Sequence, residues 1–256
     1  MTAAAFKRSI RDLQVWCSSC MVAFAGADPI GVLIGAKRPS ATLVHTIAVH
    51  PDHQRQGHGR HLLASLSSKL AILGPPRIVA EVPETCAAAL GLFAASGYVE
   101  EAALTDYVQE GDAEFVSHER ASLDSAGQML IPVTIDDLVA NGLLDVPQPQ
   151  VCWERSIETL TARKAEIEGL AIASDEQIEA YVLYIKDTGE LLAVQVLVQD
   201  GEFHLTRLIS QLRSRGLKAL RFPRVHPSDV SSDVLQTLGF RSAARYRLCT
   251  TRARSG

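Results

Sequence analysis

The stretch "HTIAVHPDHQRQGHGRHLLASL", residues 45–66, joins a strand-like apolar pattern to a helix-like one through a turn with two glycines. The first N–H groups of a helix lack partners within the helix, and the helix dipole makes that end partly positive. A phosphate can satisfy both. Gly57 and Gly59 allow close approach of the backbone, and Arg55 and Arg60 add positive charge. The turn predicts a phosphate site, with a ligand-free strand–helix corner as the alternative.

The composition bounds the class of protein. With 256 residues, 47% of them hydrophobic, the chain can form one large domain or two of ordinary size. The net charge is −4 and no segment is strongly basic, so we expect no nucleic-acid partner. The N-terminus has no signal-like apolar run, and no stretch reaches the length of a membrane span. We therefore expect a cytoplasmic protein that does not interact with membranes.

The cysteines and histidines predict neither disulfides nor a metal site. The five cysteines are an odd number without a framework, and the pair Cys17 and Cys20 has no second pair to complete a zinc site. The histidines at 50, 53, 58 and 61 have spacings that a metal could use, but they lack a nearby carboxylate or thiol pattern. We expect no metal.

The second half of the chain partly repeats the first. Phe6–Leu13 and Trp153–Leu160 share Arg, Ser, Ile and Leu at equivalent positions, and Gly97-Tyr98 resembles Gly239-Phe240. The order of the predicted elements also matches, which indicates a duplicated domain. The expected organisation is an N-terminal domain at 1–109, a polar linker at 110–128 and a C-terminal domain at 129–256.

Strand-like and helix-like patterns alternate in both copies. The first copy predicts helices at 6–14, 59–73 and 85–95 and strands at 20–26, 30–36, 42–49, 77–82 and 101–108. The second predicts helices at 136–144, 152–163, 203–215 and 229–237 and strands at 129–134, 166–173, 178–185, 190–198, 217–222 and 243–249. The predicted fold class is α/β (α+β) with a mixed, mostly antiparallel sheet flanked by helices in each copy.

The glycine turn carries a family resemblance. Gln54-x-x-Gly57-x-Gly59, between "HTIAVHP" and "RHLLASL", resembles the pyrophosphate motif [Arg/Gln]-x-x-Gly-x-[Gly/Ala] of the GCN5-related N-acetyltransferase (GNAT) superfamily. The resemblance covers roughly 6–108 and, more faintly, 129–250. It implies a tandem of two GNAT-like domains that transfers an acetyl group from acetyl-CoA, the cosubstrate, to a primary amine of an acceptor, without a metal.

The same resemblance implies the cofactor contacts. Acetyl-CoA would lie between the strands at 42–49 and 77–82, with its pyrophosphate on the turn and its pantetheine arm along the first strand. The implied cofactor-binding residues are Ile47, Ala48, Val49, Gln54, Arg55, Gln56, Gly57, His58, Gly59, Arg60 and Phe93.

The helix at 85–95 departs from the family pattern. Ala89 and Leu92 match, but Cys86 replaces the usual asparagine and Phe93 the tyrosine that commonly protonates the leaving thiolate. The acid is then a water, Tyr98 or Tyr107, or the thiolate leaves unassisted, or this copy does not catalyse. The candidate bases are His45 and Glu81, one on each strand of the expected opening.

The second copy lacks the glycine turn. Its strand at 190–198 leads through Gln199-Asp200-Gly201-Glu202 into a helix, and the two carboxylates would repel a pyrophosphate. We expect this copy to serve as a scaffold or as a wall of the acceptor site.

The first copy lacks a counterpart of "MLIPVT" and "DDLVANGLL", so its acceptor side is either open or completed by the second copy or a partner chain. A start codon placed too late would give the same pattern. An amino acid, a polyamine, an aminoglycoside, a peptide N-terminus and a protein lysine all stay open as acceptors, as does the oligomeric state. The alternative function is a noncatalytic acyl-CoA-binding or protein-interaction module.

Overall fold

The computed structural model describes residues 3–110, 128–144, 152–198 and 201–254. Most of the expected linker and Asp200 therefore lie outside the described residues. The helices are α1 (Ala3–Leu13), α2 (His58–Leu73), α3 (Ala87–Ala95), α4 (Ile135–Ala140), α5 (Ile157–Ala162), α6 (Glu202–Ser214) and α7 (Ser232–Thr237). The strands are β1 (Met21–Ala25), β2 (Asp28–Lys37), β3 (Thr42–Val49), β4 (Arg77–Pro83), β5 (Val99–Glu110), β6 (Met129–Val133), β7 (Ile167–Ala173), β8 (Ile178–Ile185), β9 (Glu190–Val196), β10 (Ala219–Val225) and β11 (Arg241–Arg252).

The chain forms two compact units that differ from the two halves of the sequence. Unit 1 contains the residues up to Ala103 and those from Arg245 onward, and unit 2 runs from Leu104 to Ala244. The chain thus leaves unit 1 within β5 and returns to it within β11. The domains expected at 1–109 and 129–256 place all of β5 in the N-terminal domain and all of β11 in the C-terminal domain. The apolar period that predicts a strand carries no information about which strands it pairs with.

The sheet of unit 1 has the strand order β1-β2-β3-β4-β11. The first three strands form an antiparallel meander, and β4 then runs parallel to β3. The last strand of the chain pairs antiparallel with β4 along its whole length, from Tyr246 opposite Pro83 to Arg252 opposite Arg77. The fifth strand of this sheet therefore comes from the end of the sequence.

Helix α2 packs on this sheet through a stripe of leucines. Leu62, Leu63, Leu66 and Leu70 are buried against strand residues that include Leu33. Their spacing follows the helical period, and Gly74 ends the helix before two prolines. The predicted helix at 59–73 is confirmed to within one residue.

Unit 2 repeats this arrangement with one more strand. Its order is β5-β10-β9-β8-β7-β6, antiparallel except for the parallel pair of β9 and β10. The fold class predicted from the sequence is confirmed. The expected helix at 152–163 was too long: Trp153–Arg155 form a 3₁₀ turn, and α5 starts only after Ser156, whose backbone is extended.

The structure also describes the cysteines, the possible metal ligands and the lengths of the helices. Within the described residues all five cysteines are free, and Cys17 lies in a 3₁₀ turn between α1 and β1. The described parts of the chain contain no group of three or more ligating side chains that could hold a metal ion. Over the same parts, no helix is both long and apolar enough to cross a bilayer.

Candidate functional site

An opening separates β3 from β4 in unit 1. The two parallel strands pair only at Thr42 opposite Ile78 and at Leu43 opposite Val79. Beyond these pairs β3 continues to Val49 and β4 to Pro83, while their outer edges stay paired with β2 and β11. Two strands that pair at one end only must diverge towards the other. The backbone edges that face each other across this opening have no strand partner and can bind an extended ligand.

The glycine turn lies at the end of β3, on the open side. Within the described part of the chain, none of the backbone N–H groups from Arg55 to Arg60 has a protein acceptor. The first bond of α2 runs from the N–H of His61 to the carbonyl oxygen of Gly57, at 2.9 Å. Six consecutive donors at the positive end of a long helix are suited to bind an anion.

The two glycines of the turn, Gly57 and Gly59, are required for different structural reasons. Gly57 has φ = +90° and caps α2, and a Cβ there would meet no heavy atom within 4 Å. The backbone at this point is therefore left-handed and open to a ligand. At Gly59 a Cβ would lie 3.0 Å from Cδ2 of Leu92, so the small residue lets α3 pack against the start of α2.

A comparison with family models identifies this region. Residues 16–100, which contain β1 to α3, the opening and the turn, match the acetyltransferase (GNAT) domain. Unit 1 therefore contains a region similar to the GNAT domain. Among curated proteins, none is similar enough in sequence to count as a match.

Solved structures extend the likeness to the whole chain. A tandem GNAT protein from the clavulanic acid biosynthesis pathway is similar over 97% of this chain and 88% of its own, with 18% identity and a TM-score of 0.62. A GCN5-related N-acetyltransferase from Sphaerobacter thermophilus is similar over 93% and 81%, with 14% identity and a TM-score of 0.63. One from Anabaena variabilis is similar over 99% and 67%, with 11% identity and a TM-score of 0.62. At these identities the likeness concerns the fold: the chain is a tandem of GNAT folds.

The polar side chains of the GNAT turn mostly support its backbone. The amide nitrogen of Gln54 donates to the carbonyl oxygen of Val49 at 3.0 Å, and that of Gln56 to the carbonyl oxygen of Asp52 at 3.1 Å. Arg55 has φ = +60°, a left-handed backbone conformation that is strained for a residue with a side chain, and the contacts of Gln54 and Gln56 lie on either side of it. Of the predicted residues, 47–49 lie at the open end of β3, and 54–60 lie in the turn and at the start of α2.

Phe93 lies in the core of the GNAT domain rather than at its surface. It is 2% exposed and packs edge-to-face on Tyr98, with ring centroids 4.9 Å apart. Its role as a cofactor contact stays a prediction. The Tyr98 hydroxyl is also buried and has no hydrogen-bond partner within the described residues, and burial, with a smaller contribution from Cys249, raises its pKa. Tyr107 belongs to the hydrophobic core of unit 2.

The candidate bases lie at the narrow end of the opening. His45 and Glu81 each come two residues after the last paired residue of their strand, and both are half-buried. Glu81 points to the face opposite Ala80 and Val82, which are buried in the core under α2 and α3, because side chains alternate along a strand. His45 lies at a bulge of β3, between Thr46 opposite Ile34 and Val44 opposite Gly35. Both have interaction partners within the described residues.

A groove that the sequence did not predict adjoins the turn. Its volume is about 530 Å³, and it extends along α2 from Gly57 to Ser68. The last residues of the chain complete it, among them Arg252 and Arg254. The arginines are visible in the sequence, but only the pairing of β11 with β4 brings them to this helix.

The equivalent turn of unit 2 has a different shape and charge. A Cβ on Gly201, which caps α6, would lie 1.9 Å from Cγ1 of Val196, so the Val196 side chain fills the space that is open beside Gly57. Glu202 occupies the first turn of α6, as expected. His204, where unit 1 has the exposed Arg60, is buried and lies 2.9 Å from a carboxylate oxygen of Glu179.

Proposed function

We propose that the chain is an acetyl-CoA-dependent N-acetyltransferase whose GNAT domain in unit 1 binds the cosubstrate and transfers its acetyl group to a primary amine. The observation that carries the proposal is the opening between β3 and β4, with the six unpartnered N–H groups of Arg55–Arg60 beside it. The GNAT match of residues 16–100 supports the same chemistry.

The residues present are suited to the proposed cosubstrate. The pyrophosphate would bind the turn, where Gly57 leaves room and Arg55 and Arg60 supply positive charge. The pantetheine amides would pair with the open backbone edge at Ile47–Val49, which no strand covers. The same edge supplies N–H donors for a carbonyl oxygen on which negative charge develops.

The reaction requires a base that removes a proton from the amine and an acid that supplies a proton to the leaving thiolate. Acetyl-CoA provides the activated thioester. The amine nitrogen forms a bond to the acetyl carbon, the carbon–sulfur bond breaks with its electron pair on sulfur, and the amine proton passes to a base. His45 and Glu81 are the proposed bases, either directly or through a water. A proton from water would convert the thiolate to the thiol, because the Tyr98 hydroxyl is buried and its pKa is raised.

Unit 2 is proposed as a scaffold without a cofactor. The packing of Val196 against Gly201 and the carboxylates of Glu202 and Glu179 near the start of α6 would oppose a pyrophosphate. A single binding site for each chain follows from this proposal.

A second candidate function is a noncatalytic acyl-CoA-binding module. This second candidate is favoured by the residue at the position of the usual proton donor to the thiolate, because Phe93 cannot donate a proton and Tyr98 is buried. Both functions require the turn to bind the cosubstrate, and only the first requires CoA to be released.

Calorimetric titration of acetyl-CoA tests the binding step. The chain offers a matched pair of glycines: Gly57 and Gly216 both have φ = +90°, and a Cβ at either position would meet no heavy atom within 4 Å. We expect wild type and Gly216→Trp to bind about one equivalent and Gly57→Trp to bind none, with all three folded by circular dichroism. Binding by Gly57→Trp as tight as by wild type would contradict the proposed site.

Release of free CoA thiol tests the transfer step. Wild type would be incubated with acetyl-CoA and separate amine classes: amino acids, polyamines, aminoglycosides, peptides with free N-termini and lysine-rich protein. Thiol release that depends on one class and is lost in Gly57→Trp supports the enzyme. Binding without release in every class supports the noncatalytic module.

A further inference from the structure

Two cysteines of unit 1 lie at the two ends of one short turn. Cys17 is the first residue of the 3₁₀ turn Cys17–Ser19, and Cys20 directly follows that turn. The N–H of Cys20 donates to the carbonyl oxygen of Cys17 at 3.1 Å. A turn closed by such a bond keeps its first and fourth Cα atoms within about 7 Å of each other. Disulfides join Cα atoms that lie about 4.4–6.8 Å apart, so the turn brings the two cysteines into the range of a bridge.

The sulfur of Cys20 lies over the start of the turn. Its thiol donates to the carbonyl oxygen of Trp16 at 3.2 Å, and the carbonyl oxygen of Gly35 lies 3.9 Å away. The Trp16 carbonyl belongs to the peptide group that joins Trp16 to Cys17, so the Cys20 sulfur lies beside the backbone of Cys17. Side chains three residues apart in a 3₁₀ turn eclipse each other. The two cysteine side chains therefore start from the same side of the turn.

Contacts with β2 fix the backbone of this turn. The N–H of Trp16 donates to the carbonyl oxygen of Gly35 at 3.2 Å, and the N–H of Ser19 donates to the carbonyl oxygen of Trp16 at 2.8 Å. Ser19 is buried, and a Cβ on Gly35 would lie 2.5 Å from the carbonyl oxygen of Ser19. The turn thus packs directly on the glycine backbone, and the fold sets the spacing of the two cysteines.

The two thiols differ in accessibility. Both are free, and Cys17 is exposed whereas Cys20 is partly buried. A dissolved reagent can reach the exposed thiol, and the neighbouring thiol can then react with the product. An attacking and a resolving cysteine have this arrangement. The exposed Cys86 has no second cysteine within three residues, and Cys152 and Cys249 are buried.

We propose that the folded turn makes Cys17 and Cys20 a redox-active pair, which exchanges between two thiols and one disulfide by reaction with a low-molecular-weight disulfide. The Cys17 thiolate attacks one sulfur of that molecule, a mixed disulfide forms, and one small thiol leaves. The Cys20 thiolate then attacks the Cys17 sulfur, and the second small thiol leaves. The two cysteines lose two electrons to the small disulfide, and their two protons go to the two small thiols.

The disulfide would be reversible rather than structural. Its ring closes only four residues, Cys17 to Cys20, and a crosslink constrains the unfolded chain less when its loop is shorter. The exposed sulfur of Cys17 also stays open to attack by a dissolved thiol. The state of the pair would therefore follow the ratio of thiol to disulfide in the surrounding solution.

The pair lies one strand away from the opening between β3 and β4. Gly35, on which the turn packs, is opposite Val44 of β3, and His45 lies at the bulge that follows. Val44 comes directly after Leu43, the last residue of β3 that pairs with β4. The proposed modification site thus lies beside the strand that carries one of the proposed bases, although its chemistry does not depend on acetyl transfer.

Equilibration of the folded full chain with reduced and oxidised glutathione tests the inference. Free thiols are then blocked by alkylation, and the chain is digested with trypsin and analysed by mass spectrometry. Both cysteines lie in one tryptic fragment, Asp12–Lys37. We expect this fragment to lose two hydrogens and to remain without glutathione. The disulfide form should exceed the glutathione adduct by at least about tenfold, because the second thiol is held beside the first.

Cys17→Ser and Cys20→Ser are the matched controls. In each variant the remaining thiol should bind one glutathione, as the single exposed Cys86 should in all three proteins. Wild type unfolded in urea is the reference for the fold, and the disulfide should form there about tenfold less favourably, because the turn is lost.

Three results would overturn the proposal. A glutathione adduct that persists on Cys17 in folded wild type would show that Cys20 does not reach it. Unmodified Cys17 and Cys20 in a chain whose Cys86 reacts would show that the turn excludes the reagent. Equal disulfide formation in the folded and the unfolded chain would assign the reaction to the sequence spacing alone. Circular dichroism before and after oxidation confirms that the folded state is the one measured.

Discussion

The two strand-to-helix turns of this chain begin from the same architecture and differ in space and charge. In unit 1, Gly57 has an open surrounding and Arg60 is exposed. In unit 2, Val196 fills the space beside Gly201, and His204 is buried against Glu179. A helix N-terminus becomes a binding site only where the surrounding side chains leave it accessible and do not carry negative charge. The duplicated fold therefore does not imply a duplicated function.

The largest effect is expected from removing unit 2, because unit 1 depends on the last strand of the chain. A protein that ends at Glu110 would lose all seven residue pairs between β11 and β4, from Tyr246–Pro83 to Arg252–Arg77. It would also expose core side chains such as Ile78. We expect a loss of more than about 5 kcal/mol, comparable with the whole stability of a domain. Far-UV circular dichroism and urea unfolding would show an uncooperative chain.

A chain that ends at Arg254 is the control for this truncation and should unfold like wild type. If the protein ending at Glu110 folds cooperatively and binds acetyl-CoA, the turn of unit 1 is self-sufficient and the exchange of strands has no energetic importance.

Substituting the two cap glycines compares the turns directly. Gly201→Ala would place a methyl group 1.9 Å from Cγ1 of Val196, and we expect it to lower the free energy of unfolding by about 2–4 kcal/mol. Gly57→Ala meets no neighbour, but φ = +90° should cost about 1 kcal/mol. Urea unfolding of both variants measures the difference. Equal losses would show that the unit 2 turn is as open as that of unit 1.

Substitutions at the third residue after each cap, Arg60 in unit 1 and His204 in unit 2, distinguish effects on binding from effects on stability. Arg60→Ala should weaken acetyl-CoA binding by about three- to tenfold without changing stability, because the side chain is exposed. His204→Ala should leave binding unchanged and cost about 1–3 kcal/mol, because it removes one of the partners of Glu179 from a buried site. Calorimetry and urea unfolding on both variants provide the test. An effect of His204→Ala on affinity at full stability would give unit 2 a part in binding.

The sequence predicted the elements better than their neighbours. The helix at 59–73 and the strand at 42–49 were confirmed nearly to the residue, because the leucine stripe and the apolar run each fix a local period. The pairing of β11 with β4 was not predictable, since it joins residues far apart in sequence and leaves no local pattern. For the same reason the groove beside α2, which Arg252 and Arg254 line, left no signal in the sequence, whereas the turn carried its own motif.

Two buried tyrosines, one in each unit, allow a further comparison, with smaller expected changes in stability. The Tyr98 hydroxyl in unit 1 has no partner within the described residues, while that of Tyr181 in unit 2 donates to the carbonyl oxygen of Leu143 at 3.1 Å. At pH 8, Tyr98→Phe should be neutral or stabilise by up to about 1 kcal/mol, and Tyr181→Phe should cost about 1 kcal/mol. A large fall in thiol release by Tyr98→Phe at unchanged stability would instead assign Tyr98 as the acid.

The pH dependence of stability gives the smallest and most specific test. Burial raises the pKa of Tyr181 to about 12 and also raises the pKa of Tyr98. Because each folded pKa lies above the unfolded value of about 10, the folded state favours the neutral phenol. The stabilisation is complete below about pH 10 and is lost as the pH rises from there towards the folded pKa. Urea unfolding between about pH 8 and 11 should therefore show stability falling above about pH 10 in wild type and less steeply in each Phe variant. An unchanged slope in Tyr98→Phe would mean that its hydroxyl has access to water, and a tyrosine with such access would again be a candidate acid at the opening of unit 1.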